Sequence, residues 1–159
     1  MARELAEQCL RLAESAKDPA LLVEAHHAVG VTLTALAEFV PALEHLEKVI
    51  THHDPMRPGA MAFGQDPKVV CFSQKAWTLW IHGYSDRALK CNDEAIALAR
   101  ELSHPYSLAA ALSFGSMVHQ LRREPQATEE LAKAAVNLST EQAFAYWTAL
   151  GFRDGGVGH

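Results

Sequence analysis

Small residues recur along the chain in two series that share the same spacing. The first series consists of Gly30, Ala76, Gly115 and Gly151, and the second consists of Ala6, Ala42, Ala88 and Ala127. The steps are 46, 39 and 36 residues in the first series and 36, 46 and 39 residues in the second. Two independent series with common steps indicate an internal repeat, in which small side chains mark close contacts.

One complete copy of the repeated unit runs from Asp66 to Arg100. Two helical patterns flank the segment GYSD, where Gly83 supplies a backbone conformation that other residues resist and Asp86 is expected to cap the next helix. In the second pattern, Ala88 and Ala95 fall at the three- and four-residue steps of one buried stripe. The stretch therefore predicts a tightly packed helical hairpin.

The spacing within this copy resembles the tetratricopeptide repeat, a two-helix unit of about 34 residues with small residues at its eighth, twentieth and twenty-seventh positions. With Val69 as the first position, Ala76, Ala88 and Ala95 take those places. Lys75 and Asn92 stand where the family prefers leucine and an aromatic residue. The resemblance implies an all-α protein, a right-handed α-α solenoid of about seven helices with half-repeats at both ends.

The same frame divides the rest of the chain. Ala2 to Ala16 is predicted as a second helix without its first, and Asp18-Pro19 ends it and starts the next. Further helices are expected at about 20–36, 40–51, 107–121 and 125–138. The final helix, at 140–152, is predicted to be the first helix of a repeat whose second helix is missing. Two segments are predicted as insertions, at 56–66 and 103–106. We expect one tetratricopeptide-like domain at 1–152 and a flexible glycine-rich tail at 153–159.

A second resemblance covers roughly Phe63 to Glu124, through FGQDPKVVCFSQKAWTLWIHGYSDRAL, LARELSHPYSLAAAL and MVHQLRRE. These stretches look similar to the C-terminal helical-repeat region of bacterial multidomain signalling proteins that carry a nucleotide cyclase or AAA-type ATPase domain. Neither catalytic domain is found in this sequence. Their activities are therefore not expected here.

Composition narrows the functional classes. The 159 residues suit one domain, with 49% hydrophobic and 21% charged residues. A net charge of -5 does not favour nucleic acid, and the one basic pair, Arg122-Arg123, is interpreted as a solvated turn. No apolar run is long enough for a membrane span, and MARELAEQ lacks the apolar core of a signal peptide. Three widely spaced cysteines predict reduced thiols in a cytoplasmic protein.

The histidines do not form a recognisable metal or catalytic motif. His45 and His52 share a helix face but lie about 10 Å apart, too far to bind one metal without other ligands. His26 is interpreted as a hydrogen-bonded core residue and His27 as facing a groove. HExxH, a phosphate-binding loop and a nucleophile elbow are absent from the sequence. We therefore expect no enzyme activity, no metal and no cofactor.

The tetratricopeptide resemblance implies a concave surface built from the first helix of each pair. Carried over position by position, it places Glu24, Val31, Ile81 and Ser113 on this surface. It also places there the residues predicted to bind the partner, which are His27, Thr34, Ser73, Gln74, Trp77, Trp80, Ser116, His119 and Gln120. Aromatic anchors with hydrogen-bonding groups and little charge suit an apolar peptide or partner helix. The alternative is that Trp77 and Trp80 are core residues, since tryptophan is usually largely buried.

The favoured function is a non-catalytic protein–protein interaction or scaffold module. A small-ligand sensor of a signalling protein is the alternative, for which a molecule lining Trp77 and His119 would be diagnostic, and an enzyme is a remote third. The last helix is apolar almost all round, and Phe144, Trp147 and Leu150 are expected to form an oligomer interface. They predict a homodimer through this end, or a chain cut from a longer solenoid.

Overall fold

The computed structural model describes residues 1–54 and 64–146, and within them the chain is all α-helical. This confirms the predicted all-α class. The helices are α1 (Ala2–Ala16), α2 (Pro19–Ala35), α3 (Phe39–His52), α4 (Pro67–Ile81), α5 (Ser85–Glu101), α6 (Pro105–Leu121) and α7 (Pro125–Glu141). The described residues contain no helix long and apolar enough to cross a bilayer.

The three helices α2, α4 and α6 begin in the same way, with a proline in the first turn and a capping side chain just before it. The caps are Asp18, Asp66 and His104. Proline suits this place because its missing N–H would have no partner there. The prediction of an insertion at 103–106 was therefore wrong in part, because Pro105 and Tyr106 belong to α6 and His104 replaces the usual aspartate.

Short turns join the helices of each pair, and each turn contains a residue with a left-handed backbone. These residues are Ala37 (φ 60°), Gly83 (φ 83°) and Arg123 (φ 60°). The predicted turn at Gly83 is confirmed. Asp86 does not cap α5, because α5 already begins at Ser85 and Asp86 lies inside its first turn.

Each of the helices α4 and α6 packs against three or more neighbours. Helices α2, α3 and α4 contact one another, and so do α4, α5 and α6. At the two ends of the described chain, α1 contacts only α2 and α7 contacts only α6. The described helices therefore form two complete groups of three, which share α4, with one incomplete group at each end.

Small residues permit these close contacts. A Cβ placed on Gly30 would lie 2.9 Å from Leu46 Cδ2, and one on Gly115 would lie 2.6 Å from Asn92 Nδ2. Ala76 and Ala88 are fully buried in one apolar cluster. Glycine and alanine at these places let the helices approach, as their spacing predicted.

Helix α7 departs from the predicted frame. Ala127 is half-buried and Ala134 is exposed, whereas Thr128 and Ala135 are buried, one residue later in each case. In the described residues α7 packs only on α6, so its buried face is set by that single neighbour. The frame carried over from α3 and α5 is displaced by one residue here, whereas α1, which also has one neighbour, keeps it with Ala6 and Ala13 buried.

The predicted start of the last helix at Thr140 was also wrong. Helix α7 continues through Glu141, a turn follows, and Ala145 and Tyr146 are helical again. Phe144 is half-buried, with its ring edge-on to Tyr106 at 4.9 Å between centroids. The other two predicted interface residues, Trp147 and Leu150, lie outside the described residues, as do most of the 56–66 insertion and the tail at 153–159.

Candidate functional site

Two tryptophans lie on α4, the helix that packs against α6. Trp77 and Trp80 are three residues apart on α4, and both are partly exposed. Trp80 also packs against a buried cluster that includes Leu79, Cys91 and Val118. It is therefore neither a pure core residue nor a free surface residue, since one part of the indole is anchored and another part remains accessible.

Trp80 lines a depression at the C-terminal ends of α4 and α6, with a volume of about 520 Å³. We call it the Trp80 depression, and its lining consists of Trp80, Ile81, Gly83, Ser85, Leu121, Arg122 and Glu124. This lining combines apolar side chains with one cation, Arg122, and one anion, Glu124. Such a site combines an aromatic contact surface with hydrogen-bonding groups of fixed position.

Arg122 is held in place by several partners. Its Nε donates to Glu124 Oε1 at 2.9 Å, and its Nη1 contacts the Ser85 hydroxyl and lies 3.4 Å from Asp86 Oδ1. The interpretation of Arg122 as a solvated turn residue was wrong, because the side chain is mostly buried between the α4–α5 turn and the end of α6. Arg123 is the exposed member of the pair.

His119 belongs to the same network. Its Nδ1 donates to Glu124 Oε2 at 2.6 Å. The hydrogen bond from His119 and the one from Arg122 lower the pKa of the Glu124 carboxyl. The carboxylate is thus paired on both oxygens, which leaves Nε2 of His119 as the imidazole atom outside this network.

Three of the predicted binding residues do not present their hydroxyls to a partner. Thr34, Ser73 and Ser116 are buried. Each donates to a carbonyl on its own helix, at 2.9, 3.0 and 2.9 Å respectively. The repeat positions of these residues predict that they line the groove wall. Their side chains instead turn back onto their own helix, where the backbone carbonyl satisfies the buried hydroxyl.

The remaining predicted residues are spread over two regions. Gln74 is half-buried on α4, and Gln120 is exposed near the end of α6, next to the Trp80 depression. His27 lies on α2 and lines a separate groove next to α1. The structure therefore brings Trp80 close to the end of α6, but it does not join His27 to them in one cavity.

The second concave region lies between α1 and α2 and has a volume of about 570 Å³. We call it the α1–α2 groove, and its lining is Cys9, Leu12, Ala13, Leu21, Glu24, Ala25, His27, Ala28, Val31 and Thr32. Sequence reasoning placed Glu24, His27 and Val31 on a concave surface but did not predict a groove against α1. The apolar stripe of α1 was visible, but only the tertiary structure shows which part of that stripe is uncovered.

Two polar side chains of this groove have buried atoms with no hydrogen-bond partner in the described residues, Glu24 Oε2 and His27 Nε2. Burial raises the pKa of the Glu24 carboxyl and lowers the pKa of the His27 imidazole. In both cases burial disfavours the charged form. Unpartnered buried polar groups are costly and rare in folded proteins.

A buried polar network fixes the N-terminal ends of α4 and α6. His53 Nε2 donates to Asp66 Oδ2 at 2.9 Å, and the Asp66 N–H donates to the Ser107 hydroxyl at 2.9 Å. The Ser107 hydroxyl in turn lies 2.8 Å from Nδ1 of His104. His104 Nδ1 accepts a hydrogen bond from the Ser107 N–H, so this nitrogen carries no proton. The Ser107 hydroxyl therefore donates to it as well. The chain of bonds sets the position of α4 relative to α6, and thereby that of both tryptophans.

A second histidine pair lies between α2 and α3. His26 Nδ1 and His45 Nδ1 are 2.9 Å apart, which confirms His26 as a hydrogen-bonded residue. Burial, followed by the nearby Lys48, lowers the pKa of His26 to about 4 and also lowers that of His45. No set of three or more metal-ligating side chains converges within residues 1–54 and 64–146.

The thiols differ in their surroundings. Cys9 is exposed in the α1–α2 groove, and Cys71 and Cys91 are buried. Burial raises the pKa of both buried thiols, which keeps them protonated and unreactive.

Comparison with known proteins adds no assignment. No protein-family model matches this chain, and no curated protein matches it.

Proposed function

We propose that this chain is a tetratricopeptide-like helical repeat module without catalytic activity, which binds a peptide or helix of a partner protein. Helix pairs stacked in register, each first helix touching the next first helix, are typical of such solenoids. The contacts of α2 with α4 and of α4 with α6 support this arrangement. The matching starts of these three helices support a common repeat unit.

The observation that carries the binding proposal is the Trp80 depression. A half-buried indole packed on one side against the core is a rigid anchor, and such aromatics dominate the energetics of many interfaces. Arg122 and Glu124 neutralise each other beside it, so the described lining residues offer no unpaired cation for an acidic terminus. An apolar peptide or the apolar face of a helix therefore fits better than an acidic segment.

The experiment is selection of binders from a displayed peptide library on the native protein, followed by affinity measurement on variants. Trp80→Ala should weaken a selected apolar peptide by about 2 kcal/mol or more. Val40→Ala, at an exposed apolar position on α3, is the matched control and should leave affinity unchanged. The melting temperature of each variant is measured on the same preparation.

Two outcomes would contradict the proposal. Undiminished affinity in folded Trp80→Ala protein would remove the Trp80 depression from the site. A fall in melting temperature that accounts for the whole loss of affinity would assign Trp80 to the core alone.

A further inference from the structure

The α1–α2 groove exposes apolar side chains that a folded chain normally covers. Leu12 of α1 is 69% exposed and Leu21 of α2 is 49% exposed, and both line the groove. Leu5, one further step along the same face of α1, is 57% exposed. A contiguous apolar patch of this kind marks an interaction surface.

The packing of the other helices shows what shape fills such a groove. The groove between α3 and α4 is closed by α2, which contacts both, and the groove between α5 and α6 is closed by α4. In each case the covering element is the first helix of the preceding pair. Helices α1 and α2 form the same kind of groove, and no described helix occupies the third position.

The chain carries a segment of the required type at its other end. Residues 144–152, FAYWTALGF, are uncharged and rich in aromatic and aliphatic residues. Gly151 continues the series of Gly30, Ala76 and Gly115, which lie on α2, α4 and α6. The repeat register predicts a first helix for this segment, the kind of helix that closes the equivalent grooves elsewhere in the chain.

Within one chain the segment and the groove belong to opposite ends. The segment follows α7, which contacts only α6 among the described helices, whereas the groove is formed by α1, which contacts only α2. A second copy of the chain can supply the segment without this separation.

We propose that the α1–α2 groove of one copy receives the segment 144–152 of a second copy, in a head-to-tail contact that continues the helical packing from one molecule to the next. The proposal rests on the repeat register of the proposed function. It differs from a symmetric dimer through two C-terminal segments, because each contact joins two different surfaces and leaves one of each free for another copy.

The chemistry of the groove fits this occupant. Aromatic and leucine side chains of the segment match a lining that is mostly apolar, and the segment itself carries no charge that docking would desolvate. The segment also carries donors, the Trp147 indole N–H and the Thr148 hydroxyl. Glu24 and His27 line the groove, and Glu24 Oε2 and His27 Nε2 are buried without a hydrogen-bond partner in the described residues, so an occupant that reaches them gains a hydrogen bond.

The test is sedimentation velocity of the full chain over a range of concentrations, with one variant for each surface. The wild-type chain should self-associate in a concentration-dependent manner. Leu12→Glu in the groove and Leu150→Glu in the segment should each weaken association by about tenfold or more. Val40→Glu, at a 66% exposed apolar position on α3 outside the groove, is the matched control and should associate like wild type.

The decisive measurement mixes the two impaired variants. The Leu12→Glu protein retains an intact segment and the Leu150→Glu protein retains an intact groove, so together they should form a one-to-one dimer that grows no further. Trp147→Ala serves as a second segment variant if Leu150→Glu disturbs folding. Labelling of Cys9, which lines the groove, should slow as the wild-type concentration rises.

A wild-type chain that remains monomeric at high micromolar concentration would overturn the proposal. Association that survives Leu12→Glu but not Leu150→Glu would show symmetric pairing of the C-terminal segments instead. Absence of a mixed dimer from two folded variants would equally refute it. Trp80→Ala should leave self-association unchanged, so a failure here is distinct from a failure of peptide binding at the Trp80 depression.

Discussion

Replacing Asn92 by leucine should stabilise this protein. Asn92 is 0% exposed on α5, and neither its Oδ1 nor its Nδ2 has a hydrogen-bond partner in the described residues. The equivalent places in α1 and α3 hold Leu10 and Leu46. The chain thus carries a polar amide where the same packing elsewhere uses leucine.

The magnitude follows from the burial of the amide. Burying an amide without a partner costs about 1 to 3 kcal/mol, and a swap between side chains of similar shape costs less than about 1.5 kcal/mol in repacking. Gly115 has no Cβ, and one placed there would lie 2.6 Å from Asn92 Nδ2, so the glycine leaves the room that a leucine methyl needs. Asn92→Leu should therefore add about 1 to 2 kcal/mol of stability.

Thermal unfolding followed by circular dichroism measures this effect. For a chain of this size, the melting temperature should rise by roughly 2 to 8 °C. The reciprocal control is Leu46→Asn, which buries an amide over Gly30 in the α2–α3 pair and should lower stability by about 2 to 4 kcal/mol. An unchanged or lower melting temperature for Asn92→Leu would refute the reasoning, because it would show that the amide is hydrogen-bonded in solution, for example to a buried water.

Three further effects can be checked by the same unfolding measurements. Ala88→Leu should destabilise the protein by about 1 to 3 kcal/mol through overpacking, whereas Ala97→Leu, exposed on the same helix, should have little effect. Asp66→Ala should lower the free energy of unfolding by about 3 to 5 kcal/mol, because it removes the cap of α4 and leaves the buried His53 without its partner. Lowering the pH from about 7 to about 5 should destabilise the fold. The pKa values of His26 and His45 are lower in the folded protein, so the unfolded chain binds more protons in that window. The contribution of His26 to this loss of stability is about 1 kcal/mol after solvent screening.

Several features of the structure were predictable because they depend on residues close together in the chain. The helical periodicity predicted the helices, Asp18-Pro19 predicted the start of α2, and Gly83 predicted the turn before α5. The spacing of small residues predicted which places need a close approach, and Gly30 and Gly115 are both in tight contact. Capping chemistry determines where a helix starts, and side-chain size determines where two helices can approach closely. Both are properties of residues that can be recognised in the sequence.

The candidate site was predicted only in part, because a repeat position does not determine where a side chain points. Ser73 and Ser116 hold groove-wall positions by register, yet each donates its hydroxyl to its own helix. Arg122 looked like a solvated residue, yet Ser85, 37 positions earlier in the sequence, lies against its guanidinium. Such pairings depend on how separate helices come together.

The sequence by itself therefore determined the all-α class, most helix boundaries and the places of close contact. Tertiary structure alone decided three things: the burial of three predicted binding hydroxyls, the contact of Arg122 with Ser85, and the uncovered groove between α1 and α2. The physical reason is that periodicity shows which side of a helix is apolar but does not show what covers it. Whether an apolar face is core or interface depends on the helices around it, and for α1 the described chain supplies only α2.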